Sequence, residues 1–261
     1  MKKTLIGISV VALVAGISGA ALSEEAASKK FTAGLYLGYG TVSMGDINDS
    51  QDVQAAFVRA AGGTADVTSM SGGLMVGVEG GMYVIPKVMA GMRIGYLSAG
   101  EAKIKCNFTQ SAGFGAWAVS TSTTSENTFS ASVIPIQVGG RYVHDLNDKL
   151  AVSGGLFVGL GLASGTGKST SSSSSTIAGV TTSVASSTSE DFSGTGAAVD
   201  ILGGIAYKIN PMISAGLDLG YRILSTSLED SHGNKVVNAA GTEFGMDFSG
   251  LTVEAKVSAN F

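Results

Sequence analysis

Residues 73–96 read Gly73-Leu74-Met75-Val76-Gly77-Val78-Glu79-Gly80-Gly81-Met82-Tyr83-Val84-Ile85-Pro86-Lys87-Val88-Met89-Ala90-Gly91-Met92-Arg93-Ile94-Gly95-Tyr96. Leu74, Val76, Val78, Met82 and Val84 alternate with Gly73, Met75, Gly77, Glu79 and Gly81. Beyond Pro86-Lys87, Val88, Ala90, Met92, Ile94 and Tyr96 alternate with Gly91, Arg93 and Gly95. A period of two is the strand pattern, and two such runs about a short Pro-Lys connection form an antiparallel hairpin. One face of each strand is aliphatic. The other is mostly glycine and carries a single charge.

The same pattern extends outward in both directions. It predicts eight strands, near residues 31–42, 70–85, 87–99, 129–143, 150–163, 194–207, 212–224 and 248–261. Connections at 85–87, 144–149 and 208–211 are short, whereas the segments near 44–69, 100–128, 164–193 and 225–247 are long. Short turns at one end and long loops at the other are expected of an up-and-down transmembrane barrel, with both termini on the short-turn side. The predicted fold class is therefore all-β, an eight-stranded antiparallel transmembrane barrel. A hairpin within Phe108–Ser122 would raise the count to ten.

Composition supports a membrane-spanning chain. Of 261 residues only 14% are charged, 44% are hydrophobic, and 38 are glycine. So apolar a chain is not disordered overall. The net charge of −4 gives no basic footprint for nucleic acid. One cysteine excludes an internal disulfide framework and a cysteine-rich zinc site. Lys2 and Lys3, the apolar run Leu5–Ala15 and the small residues up to Ser23 read as a signal peptide over residues 1–23. Residues 24–261 are then the barrel domain. After residue 25 no run of 18 apolar residues lacks charges and glycine, so the spans are strands and not helices.

The charges set the orientation of each strand. Glu79, Arg93, Arg141, Asp200, Asp218, Arg222, Glu254 and Lys256 all fall on glycine faces. A basic residue facing the lipid midplane costs about 2–4 kcal/mol. Eight outward charges would approach the whole ~5–15 kcal/mol stability of a domain. The glycine face is therefore the lumen. A soluble lipocalin-like barrel, with the faces reversed, would leave a mostly glycine exterior. Four acids and four bases are expected to form an ion-pair core, with Glu79 paired directly to Arg93 across the Pro86 turn and the other six joining the network. An eight-stranded barrel is just wide enough for side chains to fill it, and the glycines make room for the long ones. Tyr39, Tyr96 and Tyr221 near one end, and Tyr142 and Tyr207 near the other, are expected to form two aromatic girdles.

The chain resembles the small bacterial outer-membrane β-barrels of the OmpA-transmembrane-domain, OmpX and OmpW type. The resemblance covers nearly the whole mature chain. It rests on the alternating strands, the inward Arg and Glu residues, the stretch Ile134-Pro135-Ile136-Gln137-Val138-Gly139-Gly140-Arg141-Tyr142, and the end of the chain. There Val253, Val257 and Phe261 alternate and finish on an aromatic, similar to the assembly signal of that class. The resemblance implies an outer-membrane location with extracellular loops and periplasmic termini. The implied partners are outer-membrane lipid, the barrel-assembly machinery and periplasmic chaperones, and the expected state is a monomer. The chain ends at Phe261, so no peptidoglycan-binding domain of the OmpA kind is expected.

The long loops are where function is expected on such a scaffold. Val53, Ala56, Phe57 and Ala60 have helical spacing and predict a short helix at the rim. Asp46, Asn48, Ser50 and Asp52 resemble the start of a calcium loop, but Gln51 and Phe57 break that pattern, so a solvated polar loop is expected and no metal or cofactor. Ser164–Ser193 is low-complexity and is expected to be mobile. Cys106 is expected in an extension of the third strand. His144 lies in a short turn, and His232 sits beside Asp230 and Ser231, a spacing that does not suit a triad, so no enzyme activity is expected. The expected function is structural or adhesion-type surface interaction through the long loops above a filled polar lumen, toward an unidentified extracellular ligand. A narrow channel for small or apolar solutes is the alternative, and lipid A modification a more distant one.

Overall fold

The computed structural model describes residues 31–113, 118–237 and 243–261. The expected signal peptide lies outside them. The elements are β1 (Phe31–Thr41), α1 (Gly45–Ala60), β2 (Thr64–Thr68), β3 (Gly72–Ile85), β4 (Val88–Ala112), β5 (Val119–Asp145), β6 (Leu150–Ile177), β7 (Val180–Lys208), β8 (Ile213–Ser227), β9 (Gly245–Asp247) and β10 (Gly250–Asn260). Eight of these strands, β1, β3 to β8 and β10, form an antiparallel meander. β10 pairs with both β8 and β1, which closes the ring. The Phe261 amide donates to the Phe31 carbonyl at 2.8 Å and zips the two chain ends together. Closure leaves no free edge within the barrel wall. β2 and β9 are short additions above the wall, on β4 and β8. The extra strands are therefore residues 64–68 and 245–247. Residues 108–112 and 119–122 do not add a hairpin to the ring; they are the distal ends of β4 and β5.

The alternation sets the faces as the sequence predicts. Leu74, Val76 and Val78 are exposed on the outer wall, while Met75, Glu79, Arg93 and Leu97 are buried inside. The short connections after β5 and β7 share one device. The Asn147 Oδ1 atom accepts the Lys149 and Leu150 amides, and Asn210 Oδ1 accepts those of Met212 and Ile213. Side-chain turns of this kind fix tight connections.

The long segments depart from the expectation of loops. β4 to β7 run 25 to 29 residues and continue past the barrel as one sheet, ordered β2-β4-β5-β6-β7. Ser164–Ser193, expected to be a mobile loop, is instead the upper part of the β6–β7 hairpin, paired without interruption to Ile177↔Val180. The hydroxyls explain this. Thr123 and Ser173 approach to 3.3 Å, Thr176 and Thr181 to 2.9 Å, and Ser132 and Ser164 to 3.1 Å, so that cross-strand Ser/Thr pairs hold the ladder. Ala178 and Gly179 both take positive φ at the tip, the mirror-image geometry that closes a two-residue hairpin.

The expected rim helix is present as α1, turned the other way. Ile47, Gln51 and Ala55 are buried, whereas Val53 and Phe57 face solvent. The residues that resembled a calcium loop lie within this helix. Asp46 accepts the Gly245 amide at 3.0 Å, and the Asn48 side chain bonds the Met70 amide and carbonyl at 2.9 Å each. They stitch α1 over the barrel mouth. Cys106 sits on β4, buried with Ala55, Ala65 and Ile104.

Candidate functional site

Two regions carry the chemistry: the barrel interior and the sheet that projects from it. All eight charges expected in the lumen lie on inner faces, and seven of them are almost fully buried. They separate into two clusters, each with two acids and two bases. The cluster nearer the short turns is built on Arg141. Its Nε and Nη2 atoms donate to Glu79 at 3.1 and 2.9 Å. Its Nη1 and Nη2 atoms donate to Asp218 at 3.0 and 2.9 Å, and Nη1 also reaches the Ser153 hydroxyl at 3.1 Å. Lys256 donates to Glu79 at 2.7 Å. One guanidinium thus holds two carboxylates by forked contacts, the geometry that makes an arginine ion pair strong.

The second cluster lies nearer the long hairpins, as Arg222 follows Asp218 by four positions on β8. Arg222 grips Asp200 by two bonds of 2.8 Å. Arg93 pairs with Glu254 and lies 4.0 Å from Asp200. Its guanidinium carbon also sits 4.0 Å from the centroid of the Tyr36 ring. The expected direct Glu79–Arg93 pair does not form, although the two residues are register partners on β3 and β4. Each reaches across the lumen instead. Arg93 is drawn to Glu254 and the Tyr36 face, and Glu79 to Arg141 and Lys256. Direct register alone does not decide pairing, since Asp200 and Arg222 are also register partners, on β7 and β8, and do bond. Tyr36, buried on the inner face of β1, is a member of the network that the charge pattern alone does not reveal. The signal was available: Tyr36 registers with Gly77, and Gly77 with Gly95, so two glycines mark the floor beneath its ring.

The lumen is not polar throughout. Above the charges, Met75, Leu97, Val133, Ala163, Ala198 and Leu224 point inward and pack with Met44, Ile47, Met70, Met246 and Phe248 from the covering segments. The Ser43 and Met44 amides donate to the Asp247 carbonyl at 3.2 and 3.1 Å, and the Phe248 amide to Leu224 at 2.8 Å. The expected polar filling is thus corrected to two charged layers under an apolar plug. Residues 42–48 and 246–248 fold into the mouth because their apolar side chains find no other burial.

On the outer wall Tyr39, Tyr96 and Tyr221 lie toward the long-hairpin end, and Tyr142 and Tyr207 toward the short turns, each about half exposed. Val253, Val257 and Phe261 are also outward and exposed. Above the wall, Lys103 and Glu126 pair at 2.6 Å across β4 and β5, and this hydrogen bond holds the Glu126 carboxyl below its ordinary range. In the segment after β8 the Ser231 hydroxyl lies 3.3 Å from His232 Nδ1. The Asp230 carboxylate is occupied by the backbone amides of His232 and Asn234 at 2.9 and 2.8 Å. It therefore caps a turn and does not orient the imidazole. No metal-binding group of three or more His, Cys, Asp or Glu occurs among the described residues.

Among solved structures the chain is similar to the attachment invasion locus protein Ail of Yersinia pestis, at 8% identity over 88% of this chain and 99% of that one, with a TM-score of 0.30. It is also similar to the Neisserial surface protein A, at 12% identity over 89% and 97% of the two chains, with a TM-score of 0.32. A search of curated proteins gave no match. The model of the outer membrane protein beta-barrel domain matches residues 9–258, almost the entire sequence, and the chain belongs to that family.

Proposed function

We propose that this outer-membrane barrel is a monomeric, non-enzymatic anchor for surface interaction of the adhesion type, with its long hairpins outside the cell and its termini in the periplasm. The observation that carries the reading is the continuous rise of β4 to β7 out of the barrel. Residues 180–193 alone span about 45 Å at ~3.3 Å per residue. A rigid sheet of that length presents backbone and hydroxyl groups well beyond a membrane surface. The transport alternative is opposed by the two ion-pair layers and the apolar plug, since an open path needs a wetted lumen. Lipid A chemistry is opposed by the Asp230 geometry, because a carboxylate spent on backbone amides does not serve a histidine base. Phe261, Val257 and Val253 serve in this reading as the signal for the barrel-assembly machinery and its chaperones, and the two tyrosine sets as girdles at the lipid headgroups.

The test compares whole cells carrying the protein, cells lacking it, and cells carrying a variant in which residues 170–187 are replaced by an Asn-Gly turn. Binding to immobilised extracellular matrix and uptake of small apolar solutes are measured on all three. The proposal expects binding to fall with the shortened hairpin and uptake to be the same in all three. Uptake that depends on the protein, with unchanged binding, would overturn it.

A further inference from the structure

We propose that the free edge of β7 over Val180–Ser189 pairs antiparallel with the same edge of a second copy on a facing membrane, so that the protein joins membranes to one another. This rests on the surface-interaction reading and names the partner. β7 pairs with β8 only from Ala198↔Leu224 downward, with one further bridge at Ser193↔Glu229. Above that bridge its outer edge meets no strand among the described residues, and residues 180–191 are exposed throughout. An open edge is a row of unpaired amides and carbonyls ready to accept another strand. Proteins ordinarily blunt such edges with charge, proline or a covering element. Here Val180-Thr181-Thr182-Ser183-Val184-Ala185-Ser186-Ser187-Thr188-Ser189 holds no charge, proline or glycine. On the opposite edge of the same sheet β2 and α1 cover β4 as far as Asn107 and leave only Phe108–Ala112 open, so the longest bare edge is that of β7.

Charge and direction select the partner. Two copies side by side in one membrane carry β7 in the same direction. Their ladder would be parallel, the weaker kind, and would set Glu190 and Asp191 level with their own counterparts. Copies on facing membranes meet with β7 reversed. An antiparallel ladder about a twofold axis between Val184 and Ala185 places Val180 opposite Ser189 and Ser183 opposite Ser186, an isologous contact. Glu190 and Asp191 then fall level with the uncharged turn residues Gly179 and Ala178 of the second copy and away from its own acids. Each ladder is short, and many in parallel between two membranes give the contact its strength.

The test uses outer-membrane vesicles carrying the full-length protein, with clumping followed by light scattering. Wild-type vesicles are expected to clump. Vesicles with Ser183→Lys and Ser186→Lys together, or with Ser183→Glu and Ser186→Glu together, set like charges opposite each other and are expected to clump at least about tenfold more slowly. Mixing the Lys and Glu populations is expected to restore clumping. A retained heat-dependent gel shift verifies that each variant is folded. Dispersed wild-type vesicles, a Lys variant that clumps like wild type, or a mixture that stays dispersed would each overturn the pairing. Dispersed vesicles from cells that still bind matrix through the hairpin would overturn self-pairing alone and leave the surface-interaction reading standing.

Discussion

The Arg93 guanidinium sits over the Tyr36 ring, with its carbon 4.0 Å from the ring centroid, inside a lumen where both residues are buried. Desolvation of this kind puts a cation–π contact near ~2 kcal/mol. Tyr36→Ala removes the ring and opens a cavity, and a destabilisation of about 3–5 kcal/mol is expected in urea unfolding of the micelle-bound protein. Tyr36→Phe keeps the face. The hydroxyl makes only a 3.4 Å contact to the Ile94 carbonyl, so a loss below about 1 kcal/mol is expected.

Tyr36 fits only because its strand neighbours have no side chains. A methyl group at Gly77 or at Gly95 would collide with the Tyr36 hydroxyl. On the outer wall, by contrast, a methyl group at Gly203 would meet nothing nearer than the Leu219 carbonyl at 4.0 Å. Gly77→Ala is expected to lower stability by about 1–3 kcal/mol, as overpacking does. Gly203→Ala is expected to be neutral or to stabilise by up to about 1 kcal/mol. Paired unfolding curves of the two variants check this.

Arg93 and Glu254 can be removed together at less cost than singly. Glu254→Leu strands a buried cation, with a cost of about 3–5 kcal/mol. Adding Arg93→Met leaves Arg222 and Asp200 still bound by two hydrogen bonds. The double variant is expected to recover most of that loss, as measured in a double-mutant cycle.

Conductance tests the plug directly. With forked ion pairs and an apolar layer in series, the wild-type barrel is expected to give no stable current steps in planar bilayers. Discrete, long-lived steps would contradict a filled interior.

Asp230 supplies a pH-dependent element outside the barrel wall. The Asn234 and His232 amides that donate to it lower its pKa from the ordinary carboxylate value. A depressed folded pKa means that the turn's contribution is complete above the unfolded value and is lost as pH falls through the folded one. Amide protection at His232 and Asn234 is therefore expected to persist at neutral pH and to fade under acid. Asp230→Ala should abolish it at every pH, as read by exchange-detected NMR.

The barrel was legible because period two is written into every wall strand, and because charges and glycines share one face. The projecting sheet was hidden at Gly100. There a bulge between Ser98 and Glu101, with Gly100 at a positive φ, shifts the register by one. Arg93 and Leu97 point inward before it, and Ala102, Ile104 and Cys106 after it, so a strict alternation stops at Ala99 although the strand continues. The Ser/Thr tract hid for another reason. Its side chains are alike on both faces, which leaves no hydrophobic contrast to read. The Glu79–Arg93 pairing failed because register gives adjacency and not partnership: Asp200 and Arg222, also register partners, do bond, whereas Glu79 and Arg93 find their partners on strands further round the lumen. The face that α1 buries was missed because its stitching contacts come from Met70 and Gly245, far away in sequence.

The order in which the chain emerges gives the interior layers a further meaning. Glu254 and Lys256 are both carried by β10, the last strand, and their partners Arg93 and Glu79 lie on β4 and β3. Until β10 docks, the upper cluster holds one surplus positive charge and the lower one surplus negative charge. Neither can be neutralised by any earlier strand. Seam closure between β1 and β10 is therefore also the electrostatic completion of the barrel. A chain truncated before residue 254 leaves two uncompensated charges in its lumen, which sets an incomplete barrel apart from a finished one.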